Sequence, residues 1–417
     1  MAAVCRVVWF SASLLIALTP SAGAQSAAPS DPQIPSQSTS TLQPEMEIYG
    51  FVEGDAIADL RRNNPDWYDT NRPTTLPAFA LEFGRDHHFY ESPRASRFGV
   101  TGTIPTSNST VKATFEFDMV GTGRAAGLTT IRLRHAWGQW RRIGAGQTFS
   151  AFMDSDVYPN RLEMWGPNGM PTSRNPQIFW EPYQRGDSHV RIAVERPGAT
   201  ADGGMFADTV ELRNVRVRSP VPDVTGHFRS AGSGGYVQFG GVIQYIAFNN
   251  VLADPRFNLN GHVYGWGTSV SSNLQAGRHD LLRLQTVYGH GIQNYINDAP
   301  IDVGVKLNVG NPVTPIVAES LPVLTIVAYL EHDWSTNWST CAGYSSVDVS
   351  NSNGQLPSAF RIGQYATANL RWTPPQNVMI GGEFQWAQRR NFSDGWIVDD
   401  YRIEFSFKYS FSYKLRS

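Results

Sequence analysis

The sequence is poor in the features on which several protein classes depend. Cysteine is nearly absent: Cys5 and Cys341 are the two in 417 residues. Cys5 falls in a segment expected to be removed, so the mature chain has no second cysteine for an internal disulfide. Charged residues are only 17% and the net charge is −2, so nothing marks a nucleic-acid partner. No apolar run reaches the roughly 18 residues of a spanning helix, and mean hydropathy is mildly negative. That excludes a helical membrane protein but not a transmembrane barrel, in which half of each strand is polar. Catalytic signatures are missing as well: there is no G-x-S-x-G, H-E-x-x-H, Walker loop or G-x-G-x-x-G. No catalytic residue, cofactor or metal site is assigned. His87-His88 and Glu331-His332-Asp333 place adjacent ligand types on opposite strand faces, a poor metal geometry, and read as loop or rim residues. Lysine is scarce too, with Lys112, Lys306, Lys408 and Lys414 set against 30 arginines. A GC-rich genome explains that bias plainly. The functional explanation is that guanidinium groups grip carboxylates bidentately and keep their charge.

What the chain does have is alternation. From Tyr401 to Tyr413 the odd positions Tyr401, Ile403, Phe405, Phe407, Tyr409, Phe411 and Tyr413 are apolar or aromatic. The even positions Arg402, Glu404, Ser406, Lys408, Ser410 and Ser412 are polar. That is the period of a strand with one face in an apolar medium and the other in a polar one. It is long enough to cross a bilayer, where about 9–11 tilted residues suffice. Open sheet edges are not viable there, so this strand has to pair on both sides, finally with the first strand.

Ahead of the alternating region lie two other segments. Residues 1–24 read as a signal peptide: Arg6 gives a thin n-region, Val7 to Leu18 the apolar h-region, and Ala22-Gly23-Ala24 the cleavage site. Residues 25–45, rich in Ser, Pro, Gln and Thr, read as a flexible tether. Residues 46–417 then carry strand-like segments. These are placed near Ile48–Leu60, Arg97–Ile104, Val111–Met119, Thr129–Trp140, Ile143–Phe152, Val190–Glu195, Gly235–Asn249, His262–Gln275, Leu281–Tyr288, Phe360–Thr373 and Val378–Arg389. At roughly 23 residues per strand with its connection, the segment holds about 16 strands. The fold class is therefore all-β, a transmembrane antiparallel barrel.

The polar faces should line the lumen. They carry Arg97, Arg132, Arg134, Arg191, Arg283, Arg371 and Arg389, and the acids Glu53, Asp55, Asp59, Glu116, Asp118 and Glu383. Rings of opposed charge set selectivity in a water-filled pore; equally, such charges can simply pair and keep the wall wet. One long irregular segment, Met153 to Pro176, reads as a loop that folds inward and narrows the lumen, with an ordinary external loop as the alternative. It contains Arg174, and Glu116, Asp154 and Asp156 are the acids expected across the passage from the arginines. The stretch Val210 to Val224, with Arg213, Arg216 and Arg218, reads as a charged mouth loop. Trp137, Trp266 and Trp372 fit an interfacial aromatic girdle. Glu in place of Ser406 should be tolerated in the lumen, whereas a cation at Phe405 or Phe407 should not be tolerated in lipid.

Several of these segments resemble the DcaP-like trimeric outer-membrane porins. Ile48-Tyr49-Gly50-Phe51-Val52 with Asp55-Ala56-Ile57 resembles the family's first strand, and Arg97-Phe98-Gly99 with Gly102 its second. Leu133-Arg134-His135-Ala136-Trp137-Gly138 and Gly146 through Asp154 resemble the fourth and fifth, and Trp165-Gly166-Pro167 through Arg174 the inward constriction loop. Tyr288-Gly289-His290-Gly291-Ile292 with Tyr295 and Asp298, and Tyr409-Ser410-Phe411, also match. The resemblance implies a 16-stranded homotrimer that passes small anions, dicarboxylates among them, with Arg97, Arg132, Arg134 and Arg174 at or near the constriction. Two features depart from the family: residues 25–44 lack coiled-coil heptads, and Lys414-Leu415-Arg416-Ser417 follow the last aromatic.

The expectation is an outer-membrane porin, not an enzyme, embedded in outer-membrane lipid, with an anion path of Arg97, Arg132, Arg134, Arg174, Arg191 and Arg283. An outer-membrane barrel hydrolase and a non-conducting envelope scaffold are the alternatives.

Overall fold

The structure is a computed structural model that describes residues 43–416, apart from 108, 210, 211, 252–255, 375 and 376. The expected signal peptide, Cys5 and residues 25–42 of the tether lie outside the described residues.

The chain alternates direction around a closed wall. Strand β1 (Glu45–Asp59) pairs with both β2 (His88–Ser92) and β3 (Arg97–Thr106), which form one stave interrupted at 93–96. Then come β4 (Ser109–Val120), β5 (Thr129–Trp140), β6 (Ile143–Phe149), β7 (Arg174–Arg185) and β8 (Ser188–Glu195), each antiparallel to the one before. A second interrupted stave, β9 (Val215–Arg218) with β10 (Asp223–Gly232), pairs with β11 (Gly235–Asn250). The wall continues through β12 (Gly261–Gln275) and β13 (Asp280–His290). A separate hairpin of β14 (Val303–Leu307) and β15 (Ile316–Ser320) stands apart from it. The last five staves are β16 (Pro322–Asp333), β17 (Trp338–Val349), β18 (Phe360–Trp372), β19 (Val378–Asn391) and β20 (Ile397–Arg416). β20 closes the ring against β1, in register from Glu45↔Arg416 to Asp59↔Arg402. Sixteen staves result, so the closed antiparallel barrel read from the alternation is present.

One end of the barrel carries turns of two to four residues, at 141–142, 186–187, 233–234, 276–279 and 334–337. The other end carries the long connections, chief among them 60–87, 150–173, 196–214 and 291–321. Short turns face the periplasm and long loops the exterior in such barrels.

The last strand behaves as its sequence dictates. Ile403, Phe405 and Phe407 are 53%, 51% and 47% exposed, while Arg402, Glu404 and Ser406 are at most 2% exposed. Bare aromatic and aliphatic side chains on the outside are the expected face for lipid. One expectation on this strand fails. Ser406 is buried between Asp55 and Glu404 and bonds to both, so Glu at this position would press a third carboxylate into a closed site.

The interior is divided. Loop 150–173 turns inward, as expected, and lies against the far wall. Phe152 packs with Val242, Val287, Val323, Val347 and Phe360 from β11, β13, β16, β17 and β18, together with Ile292, Tyr295 and Ile296 of loop 291–321. Val157 and Met170 pack with Val327, Tyr329 and Cys341. Where the loops press closest, the wall residues are small: a Cβ on Gly267 would meet Ile292 at 2.2 Å, and one on Gly265 the Gly291 carbonyl at 2.4 Å.

Candidate functional site: a charged passage beside the inward loop

The inward loop is fixed by polar anchors as well as by its apolar face. Asp154 accepts hydrogen bonds from Arg229 (2.7 Å), Tyr236 (2.9 Å) and Ser271, and Asp156 pairs with Arg229. The Asn160 backbone N–H and side chain donate to Glu331, at 2.7 and 2.9 Å. The Leu162 N–H donates to Glu383 at 2.9 Å. Asn168 contacts Ser345 and the Gly363 carbonyl, at 2.6 and 3.1 Å. Asn297 of loop 291–321 donates to the Trp165 and Pro167 carbonyls, at 2.6 and 2.9 Å. Loop 60–87 locks on from the exterior side. Arg72 lies 4.4 Å from the Trp67 ring centroid and 4.9 Å from that of Trp165, and it pairs with Asp298 at 3.0 Å. A loop held on so many sides is a fixed wall of the lumen.

Between this loop and β1, β3, β4, β5 and β20 lies a cavity of about 190 Å³. Its basic lining residues are Arg97, Arg132, Arg134, Arg161 and Lys408; its acids are Glu53, Asp118 and Glu163. Phe51, Tyr158 and Trp165 supply aromatic surface. Strand alternation puts Arg97, Asp118, Arg132 and Arg134 on the inner face. An irregularity between Glu116 and Phe117 in the β4–β5 register turns His135 inward as well.

Each cation has an acid. Arg132 grips Asp118 through two bonds of 2.9 and 2.6 Å. Arg134 bridges Glu116 at 2.6 Å and Asp118 at 2.8 Å. Arg97 is looser, 3.6 Å from Glu116, and its Nε has no hydrogen-bond partner among the described residues. Lys408 meets Glu53 at 2.9 Å, and Arg161 meets Glu163 at 3.0 Å. Side-chain exposure ranks their access to a solute: 31% for Arg97, 25% for Lys408, 18% for Arg132, 11% for Arg134 and 4% for Arg161. Bidentate and buried pairs hold their charge in place, so the loosely paired, exposed groups are the ones a passing ion can engage.

Of the arginines expected along the path, Arg97, Arg132 and Arg134 meet at this cavity. Arg174 opens β7 opposite Phe149, its guanidinium 5.8 Å from that ring, and is not among the cavity-lining residues. Arg191 pairs with Glu181 over Phe179, and Arg283 with Glu331. Neither lines the cavity. The acids also sit elsewhere than expected. Glu116 is on the arginines' own wall, and Asp154 and Asp156 turn away to Arg229 because that buried guanidinium has no other acid within reach among the described residues. Arg161 and Lys408 were missed. Lys408 was legible as an even position of the last strand; Arg161 lies in a loop without periodicity.

This chain belongs to the DcaP outer membrane protein family. The family's model matches residues 35–297. The fold is similar to the outer membrane channel DcaP of Acinetobacter baumannii, with a TM-score of 0.72 at 18% identity over 89% of this chain and 99% of that one. It is also similar to an anion-selective porin from Comamonas acidovorans, with a TM-score of 0.57 at 8% identity over 88% of this chain and 100% of that one. The trimer form of OmpT, an outer membrane protein of Vibrio cholerae, gives 0.53 at 11% identity over 88% of this chain and 100% of that one. No curated protein matches the sequence.

The remaining motifs fall into place within the barrel. His88 and Glu331-His332-Asp333 sit at strand ends, on the rims: His88 Nε2 is 2.8 Å from the Arg85 carbonyl, and His332 lies 2.7 Å from Asp280. No cluster of His, Cys, Asp or Glu able to hold a metal occurs among the described residues. The charged mouth stretch contains a strand, β9, carrying Arg216 and Arg218. Trp266 and Trp372 are exposed on the outside, at 42% and 37%. Trp137 instead turns inward and packs edge-on to buried Phe179, because its register partner Thr114 is on the lumen face.

Proposed function

We propose that this outer-membrane channel is a passive porin with a modest preference for small anionic solutes, dicarboxylates among them. The observation that carries the reading is the lining of the narrow cavity, where five basic side chains face three acids. Each added carboxylate of a solute gains from that excess, and low-dielectric walls strengthen it relative to an open surface. Near-complete pairing keeps the preference modest.

The chain would act as a homotrimer, as the trimer form of the Vibrio protein does, and reach the outer membrane with residues 1–24 removed. No catalysis and no cofactor enter this reading. Planar-bilayer recording tests it: stepwise currents, a reversal potential of anion-preferring sign in a salt gradient, and current block by millimolar succinate are expected. A silent barrel would favour the scaffold alternative. A cation-preferring potential would remove the substrate class while leaving the channel.

A further inference from the structure

On the outer face of the wall, the exterior ends of β8 to β13 carry charge of one sign. Register fixes which side chains share that face. Val224 on β10 is opposite both Val194 on β8 and Ile243 on β11, and all three are exposed. Ile243 is opposite Trp266, which is opposite His290. Two residues nearer the exterior, Tyr245 is opposite Tyr264. Two further on, Ala247 is opposite both Arg218 on β9 and His262 on β12, and Asn249 is then opposite Arg216. Arg196 follows Val194 just beyond the end of β8. Its N–H still donates to the Pro176 carbonyl at 2.8 Å, so the alternation carries on to this residue and turns it outward.

Two tiers result. The lower one is apolar and aromatic, with Trp266 and Tyr288 rings 5.9 Å apart and Tyr245 and Tyr264 rings 5.5 Å apart. Such a girdle marks the boundary between lipid tails and headgroups. The upper tier holds Arg196, Arg216 and Arg218, all exposed, with His262 stacked on Tyr245 at 5.0 Å. At about 3.4 Å per residue, Arg218 stands about 7 Å beyond the tyrosine pair and Arg216 about 14 Å, at the depth of headgroups. None of these outward positions is an acid, and neither Arg196 nor Arg218 forms an ion pair among the described residues. By contrast Arg61 meets Asp86 at 3.1 Å, and Arg361 lies 3.9 Å from Asp348.

We propose that this sector of the rim is a docking surface for an anionic lipid of the outer leaflet, one with phosphate groups on a sugar headgroup and several acyl chains. The arginines take the phosphates, which guanidinium forks grip bidentately. The acyl chains lie along Val194, Val224, Ile243 and Trp266. Charge complementarity selects this occupant. A neutral lipid gains nothing from three guanidinium groups, and a second copy of the same face would set cation against cation. An outward arginine is nearly free of cost at headgroup depth, and each adds about fivefold to the affinity for an anionic surface. Outward register also takes Arg216 and Arg218 away from the solute path expected of a charged mouth loop. The inference is independent of the anion-preferring reading of the passage.

The test places the full barrel in phosphatidylcholine nanodiscs doped with lipid A, the phosphorylated probe. Chelator is present, so that no divalent cation bridges phosphate to acid. Native mass spectrometry counts the lipid A held by each barrel against its proportion in the disc. The wild-type barrel should hold it in excess of that proportion, and about 1 M salt should reduce the excess by screening. Arg218→Gln should lower the apparent affinity about fivefold, and Arg196→Gln combined with Arg218→Gln about twenty-fivefold. Arg361→Gln, elsewhere on the rim, should bind as wild type does. No excess in wild type, an excess that the double variant keeps, or an equal loss in Arg361→Gln overturns the proposal. Displacement of lipid A by millimolar inorganic phosphate would make this a free-anion site, and dissociation of oligomers in the double variant would make it an interface between copies; either result also overturns it. The wild-type measurement needs no variant to fold, and the substituted side chains are all exposed.

Discussion

The two halves of the barrel wall solve different problems. From β20 through β1, β3, β4 and β5 the inner face meets the passage, and the charged side chains that line it there are Lys408, Glu53, Arg97, Asp118, Arg132 and Arg134. From β11 to β18 the inner face meets loops 150–173 and 291–321, and there Val242, Val287, Val323, Val327, Val347 and Tyr365, all at most 2% exposed, are interleaved with uncharged polar Gln244, Gln285, Thr325 and Ser345. Both halves have the same outer face for lipid. The difference shows that lumen-facing is not a synonym for polar in this barrel. One half is a pore lining, and the other is the core of a small globular packing.

The comparison can be broken most severely from the outside, where the halves should agree. Phe405→Arg on the bare half and Ile326→Arg on the covered half each put a cation into lipid, at a cost of about 2–4 kcal/mol near the bilayer midplane. Neither should yield heat-modifiable barrels, and normal assembly of either would reverse the inside–outside assignment of its strand.

Inside, the halves should diverge. Val347→Asp buries an unpaired acid under the loop and should lower stability by more than about 2 kcal/mol, read as a fall in the temperature of the heat-modifiable transition. Glu116→Gln on the bare half keeps its shape and loses one charge from a cluster of three arginines. It takes a charge from a buried guanidinium and should cost about 1–3 kcal/mol, but unlike Val347→Asp it should also move selectivity toward anions. Equal changes in selectivity from the two substitutions would erase the distinction.

A smaller effect is expected where the loop meets the covered wall. Gly169 has φ +84° and a Cβ there would lie 3.0 Å from the Ser346 carbonyl and from Thr325. Gly169→Ala should cost about 1–2 kcal/mol and loosen the loop. Noisier, larger single-channel currents are the readout, and an unchanged conductance would mean that the polar anchors alone hold it.

The same division explains what could be read from the chain. On β20 the alternation from Tyr401 to Tyr413 survives intact because one face meets lipid and the other meets charge. On β16, Leu324, Ile326 and Leu330 face lipid while Val323, Val327 and Tyr329 lie under the loop. Both faces are apolar, the period vanishes, and β16 with its partner β17 escaped the strand assignment. β7 was hidden differently, by Pro176 and by Pro182 at a register shift between Trp180 and Tyr183, where a missing N–H costs the ladder little. Among the passage residues, Arg97, Arg132 and Arg134 were legible from strand parity. The partners of Asp154 and Asp156 were not, because Arg229 is 73 or more residues away in sequence and only the closed barrel brings it to the loop.

The most direct test removes one guanidinium from each half and compares reversal potentials at low salt, where screening is weak. Arg97 is the most exposed of the passage cations, while Arg283 is tied to Glu331 and to the Asp156 carbonyl beneath the loop. Arg97→Ala is expected to move the potential toward cations, and Arg283→Ala to leave it unchanged while loosening the loop. Equal shifts in the two, or a shift in Arg283→Ala alone, would contradict a passage built from the bare half of the wall.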